Sequence, residues 1–209
     1  MEENSVPSGS VVSCHLERPL DDASWSRFEA VRRRFPVIGL IRPPDPATGE
    51  DEDEEKWLSR ARTLELLGLH THWTSPTHAR PTGGDPAERV RKEAVWMRER
   101  GLEPRWFCGG GWYSDDGVRA VVRELGLVDC TERGGVPHDG VLPTTHSLGQ
   151  LARAVLTPTL PAYVHAYFHD YDLLGTSRRM ALLASLRVLG MRRSALPASS
   201  ASRQSNGMR

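Results

Sequence analysis

Residues 68–108 decide the fold. Gly68-Leu69-His70-Thr71-His72 reads as a short apolar strand with polar residues at its end. Thirteen residues on, Asp85-Pro86-Ala87-Glu88 opens a helix: Asp85 is the N-cap, Pro86 takes the first helical position, and Glu88 completes a capping box. Gly101 ends that helix, and Arg105-Trp106-Phe107-Cys108 is the next strand. A strand, a capped helix and a second strand in so few residues form a parallel βαβ unit, because two parallel strands need a crossover of about this length.

The same grammar runs outward in both directions. Upstream, Val11 to Cys14 is a strand, residues 24–35 a helix with Trp25, Phe28, Val31 and Phe35 on one stripe, Val37 to Ile41 a strand, and residues 54–67 a helix. Downstream, Ser114 caps a helix whose face is Val118, Val121, Val122 and Leu125. Leu127 to Cys130 and Val141-Leu142 are short strands, Ser147 caps another helix, Ala162 to Phe168 is the last strand, and Ser177 to Leu189 the last helix. About seven strands with a helix each suggest a distorted (β/α)7-type barrel, with an open doubly wound sheet as the alternative. One domain is expected over residues 11–192, between a flexible start at 1–10 and an Arg/Ser-rich, disordered tail at 193–209.

Composition narrows the function classes. The chain has 209 residues, 38% of them hydrophobic, enough for one substantial core. It has no apolar run of membrane-spanning length and no secretory signal in its first twenty residues, so the expected location is cytoplasmic. Twenty-seven basic and twenty-seven acidic residues cancel, which argues against a nucleic-acid-coating protein. The balance hides an acidic run, Glu50 to Glu55, and an acid-free stretch from Gly175 onward with seven arginines; both read as solvated segments. Cys14, Cys108 and Cys130, odd in number and without CxxC spacing, read as reduced thiols.

In parallel β/α folds the chemistry gathers at the carboxyl ends of the strands. There the sequence sets His15, Glu17, Asp21 and Asp22, then His70, His72 and His78, then Gly109-Gly110-Gly111-Trp112-Tyr113, and finally His165, His169, Asp170 and Asp172. Six of the eight histidines fall at three strand ends, and no role is assigned to His138 or His146. Side chains two apart on a strand share a face, so His70 and His72 present two imidazoles to one point, a geometry that suits a divalent metal. His78 could reach back from its loop as a third ligand.

These residues resemble the polysaccharide deacetylases, also called NodB-homology domains or carbohydrate esterase family 4. Leu66 to Thr74 is similar to the family's metal-histidine segment, Glu93 to Phe107 to the stretch before its fourth-strand loop, Val118 to Leu127 to the helix that follows, and Val164 to His169 to its last motif. The resemblance implies a distorted β/α barrel and a divalent metal, usually zinc, held by one Asp and two His. The substrate would be an acetylated carbohydrate or glycolipid. It also implies that His169 is the general acid and that Glu17, Asp21 or Asp22 supplies the base. Trp73, Trp112 and Tyr113 would offer flat surfaces to a sugar, and Gly110 and Gly111 backbone donors to an oxyanion.

The departures are specific. The family's Thr-Phe-Asp-Asp is absent, and Ser13-Cys14-His15-Leu16-Glu17 stands there, so that His15 or Glu17 takes the place of a metal-binding carboxylate. Cys108 to Trp112 replaces the family's Arg-Pro-Pro-Tyr-Gly, so the arginine that orients the base is missing. Either His70 and His72 together replace the usual histidine pair, or His78 is the second ligand. A degenerate, non-catalytic carbohydrate-binding barrel is the alternative function. A metal-dependent phosphoesterase or amidohydrolase-like barrel fits less well, because there the His-x-His belongs to the first strand.

Overall fold

The computed structural model describes residues 9–45, 49–157 and 160–190. Its strands are β1 (Gly9–Leu16), β2 (Ile38–Ile41), β3 (Leu67–Thr71), β4 (Trp106–Gly109), β5 (Val128–Asp129), β6 (His146–Ser147) and β7 (Tyr163–His169). Its helices are α1 (Asp22–Arg32), α2 (Glu54–Ala61), α3 (Pro86–Glu99), α4 (Asp116–Glu124), α5 (Leu148–Ala154) and α6 (Thr176–Gly190). All paired strands are parallel, in the order β5-β4-β3-β2-β1-β7-β6. Leu142 N donates to the Asp129 carbonyl and Thr145 N to the His165 carbonyl, so the segment entering β6 ties both sheet edges together. The result is the distorted β/α barrel expected from the alternation of elements.

Two apolar layers follow from the period-two alternation of side chains along each strand. Val11, Ile38, Leu40, Trp106, Cys108 and Tyr163 fill the inside of the curl. Val12, Leu16, Leu69, Phe107, Val164 and Phe168 face outward, onto the helices. Val118, Val121 and Val122 of α4 are buried in that outer layer, at about 1.5–3 kcal/mol for each side chain withdrawn from water.

Several local expectations shift. β1 begins at Gly9, inside the segment read as a flexible start, while residues 1–8 and the tail at 193–209 lie outside the described residues. α4 is capped by Asp115, whose carboxylate accepts from Val118 N at 2.8 Å, and not by Ser114. Asp85 does cap α3, but Glu88 pairs with Arg91 and Lys92, so the box is not reciprocal. Ser147 and Gln150 form a reciprocal box on α5. Val141 and Leu142 make only isolated contacts; the strand is His146–Ser147. No helix joins β5 to β6, so the described residues hold six helices and not one per strand. The acidic run is only partly a solvated segment. Glu50 turns inward, and both its oxygens accept from Arg42, at 2.7 and 2.8 Å.

Candidate metal centre

β1 lies between β2 and β7, and its register sets His15 beside His169. On β7 the inward residues are Tyr163, His165, Tyr167 and His169, and on β1 Ser13 and His15, so alternate positions carry imidazole, phenol and hydroxyl groups up the inside of the curl. At the rim they meet His70 and His72, one at the end of β3 and one just past it.

His70 Nδ1 lies 2.8 Å from the Cys108 carbonyl and His72 Nδ1 3.0 Å from the Pro76 carbonyl. A carbonyl only accepts, so both Nδ1 atoms carry a hydrogen and both Nε2 atoms are turned towards the centre. The Nε2 atoms stand 3.2 Å apart, with Glu17 Oε1 3.2 Å from His70 and Glu17 Oε2 3.0 Å from His72. Burial raises the Glu17 carboxyl, but its contacts with the two imidazoles win and hold it far below the ordinary carboxylate range. Burial of His70 outweighs the pull of Glu17 and lowers its pKa, which keeps it neutral. Two inward-turned imidazole Nε2 atoms and a carboxylate facing one point are a nitrogen and oxygen donor set. Zinc ligands at bonds of about 2.0–2.1 Å stand about 3.3 Å apart in a tetrahedral site. The donor set and its spacing therefore fit a divalent cation on Glu17, His70 and His72.

His15 sits beneath this group, 3% exposed, with its Nε2 unpartnered. Its ring packs on those of Trp112 and Tyr167 at centroid distances of 5.4 and 5.6 Å. Burial first, then the neighbouring His70 and His169, lowers its pKa well below that of an ordinary histidine. His169 stacks on Tyr171, and its Nδ1 lies 3.6 Å from an Asp172 oxygen that also accepts its backbone N–H. The other Asp172 oxygen accepts from Arg178 at 2.8 Å. Asp170 is buried under the rim; burial raises its carboxyl to about 6 although the N–H groups of Arg18 and Tyr171 both donate to it.

The rim encloses a cavity of about 570 Å³, lined among others by His15, Glu17, His70, His72, Trp112 and His169. Gly110 packs directly against His72, where a Cβ would stand 2.7 Å from both the imidazole Cδ2 and the Thr71 carbonyl. Gly111 and Trp112 follow in the left-handed region, at φ 59° and 58°. For tryptophan this is strained by roughly 1–2 kcal/mol, and the turn aims its indole into the cavity.

Four predicted site residues stand elsewhere. Asp22 is exposed at the start of α1 and pairs with Lys56 and Arg60. His78 is exposed in a turn with Ser75 and Thr77, and no ion-sized donor group among the described residues includes it. Trp73 is buried, with its indole N–H on the Pro86 carbonyl and its ring on Tyr113, whose own hydroxyl donates to Asp115. Trp73 and Tyr113 thus pack the shell behind the cavity. Sequence reading missed Arg42, which is 3% exposed and donates to the Glu17 carbonyl at 3.2 Å as well as to Glu50. It also passed over Tyr167 and Tyr171, which the alternation on β7 and the position just past it could have signalled.

No family model and no curated protein sequence matches the chain. Solved structures do. A carbohydrate esterase family 4 pseudoenzyme from Bacillus anthracis superposes with a TM-score of 0.58 at 9% identity, over 90% of this chain and 63% of that one. A family 4 carbohydrate esterase from Streptomyces lividans gives 0.56 at 13% identity, over 90% of each chain. The chitin deacetylase of the fungus Colletotrichum lindemuthianum gives 0.59 at 13%, over 91% of this chain and 85% of that one. This chain thus spans less than two thirds of the length of the pseudoenzyme and most of the other two. At such identities the likeness speaks for architecture: the chain has the fold of the carbohydrate esterase family 4 polysaccharide deacetylases.

Proposed function

We propose that the protein is a metal-dependent hydrolase that removes N- or O-acetyl groups from a sugar or glycan precursor. The observation that carries this reading is the convergence of Glu17 with the Nε2 atoms of His70 and His72 in an open cavity. A divalent ion there, zinc by choice of donors, would polarise an acyl carbonyl and acidify water. His15, neutral and with Nε2 free, is the proton acceptor beside that centre. His169, across the strand pair and set by Asp172, hands a proton to the departing amine or alcohol. Trp112 and Tyr171 give a sugar ring its apolar faces. Three buried, unpaired thiols support a reducing, cytoplasmic setting and hence a precursor as substrate.

The test is metal content and acetate release together. Purified protein is expected to hold about one zinc per chain and to release acetate from N-acetylglucosamine oligomers or a nucleotide-linked N-acetyl sugar. Both should be lost in His70→Asn and Glu17→Gln. Protein that binds no metal under zinc supplementation would overturn the reading. A non-catalytic carbohydrate-binding barrel is the second reading, favoured by the histidine at position 15 where the resemblance implies a carboxylate. Bound zinc and bound glycan with no acetate released, and turnover appearing in His15→Asp, would select it.

A further inference from the structure

Trp112 is a shared wall. On its far side from the metal centre lies a second cavity of about 520 Å³, between α4 and the segments on either side of Gly134. Three arginines from two parts of the chain converge there: Arg119 and Arg123, one turn apart on α4, and Arg133, whose guanidinium lies 5.1 Å from the centre of the Trp112 ring. Like charges at i and i+4 on a helix repel, and Arg123 and Arg133 have no ion-pair partner among the described residues. Arg119 is partly used by Asp116 and the Ser114 carbonyl.

Three acids share the lining. Glu132 is engaged by His138 at 3.2 Å. Asp129 turns inward and accepts from Thr131 N at 2.8 Å. Asp139 is the third. Ser114 adds a buried hydroxyl without a partner. A concave site with two unpaired guanidinium groups and a spare hydroxyl suits a small, oxygen-rich anion, for which arginine forks are the geometric match.

We infer that this second cavity binds a phosphate ester or diphosphate, with Arg123 and Arg133 as its principal ligands and Trp112 dividing it from the metal centre. The anion site stands on the arginines alone; that the anion belongs to the sugar being deacylated rests on the function proposed above. On that reading the substrate is an acylated sugar carried on phosphate, with its acyl group over Glu17, His70 and His72 and its phosphate across the indole.

Calorimetric titration of the full chain with inorganic pyrophosphate tests this directly. Saturable binding is expected in the wild type and in His70→Asn, and weakening of about tenfold or more in Arg123→Gln/Arg133→Gln. Each single variant gives an intermediate loss if the double variant does not fold. Absence of saturable binding overturns the inference. So does binding lost in His70→Asn but kept in the arginine variants, because the anion would then be held at the metal centre. Pyrophosphate binding without acetate release separates failure of the proposed activity from failure of this site. Tighter binding of a nucleoside diphosphate than of a short prenyl diphosphate would assign a nucleotide carrier, and the reverse order a lipid carrier.

Discussion

His70 and His72 point the same edge at each other: their Nε2 atoms are 3.2 Å apart, while their Nδ1 atoms are tied to two different carbonyls, those of Cys108 and Pro76. These edges and Glu17 meet only in the folded chain, so a cation bound between them favours folding. Zinc at a hundredfold excess over its dissociation constant should therefore add about 2.7 kcal/mol to stability. Thermal melts with zinc and with a chelator would show it, and His72→Ala should remove the difference. Equal melting temperatures in the wild type would contradict it.

Gly110 lies where the imidazole of His72 needs room. In Gly110→Ala the new methyl meets both the His72 ring and the Thr71 carbonyl, so the ring must turn off its hydrogen bond to Pro76. Loss of that orienting contact should lower zinc affinity about tenfold or more, as judged by competition with a chromophoric chelator. An unchanged affinity would mean that the loop gives way instead.

Arg42 is buried and linked to Glu50 through two hydrogen bonds and to the carbonyl of Glu17 through one. Arg42→Met removes both guanidinium bonds to Glu50, which keeps the Asp45 N–H, and frees the backbone next to a ligand. Urea unfolding should show a loss of about 3 kcal/mol, and zinc affinity should fall with it. A loss under about 1 kcal/mol would show that solvent screens the pair.

His165 lies wholly inside the curl, between the Leu142 carbonyl and the Ser13 hydroxyl, and burial lowers its pKa from 6.5 to about 4. The unfolded chain therefore binds a proton at a higher pH than the native state does. Stability from this group is full above about 6.5 and is lost as pH falls towards 4, by about 3 kcal/mol in all. Denaturant titrations at pH 7 and 4 should show a smaller pH-dependent loss for His165→Gln than for the wild type. A parallel loss in both would place the acid sensitivity elsewhere.

How much could be read in advance depends on the range of the interaction. The pairing of His70 with His72 is a consequence of strand period, and capping at Asp85 and Ser147 is local chemistry, so both were legible. Glu17 was legible as a site residue but not as the group that closes the triangle, because its approach to β3 depends on where β1 sits in the sheet. Asp22 and His78 have the right chemistry a few residues too far along, where the chain has already turned away onto α1 and into the turn at Ser75. The Arg42–Glu50 pair could not be read, because nothing local distinguishes Glu50 from the five acids that follow it.

The strict alternation on β1, β3 and β7 has a consequence for how such a barrel changes over time. Site and core are printed on opposite faces of the same strands, so inserting or deleting one residue there would exchange imidazoles for leucines and phenylalanines throughout. Chemistry can drift in this scaffold only by substitution at inward positions, one side chain at a time, with the packed outer face left untouched.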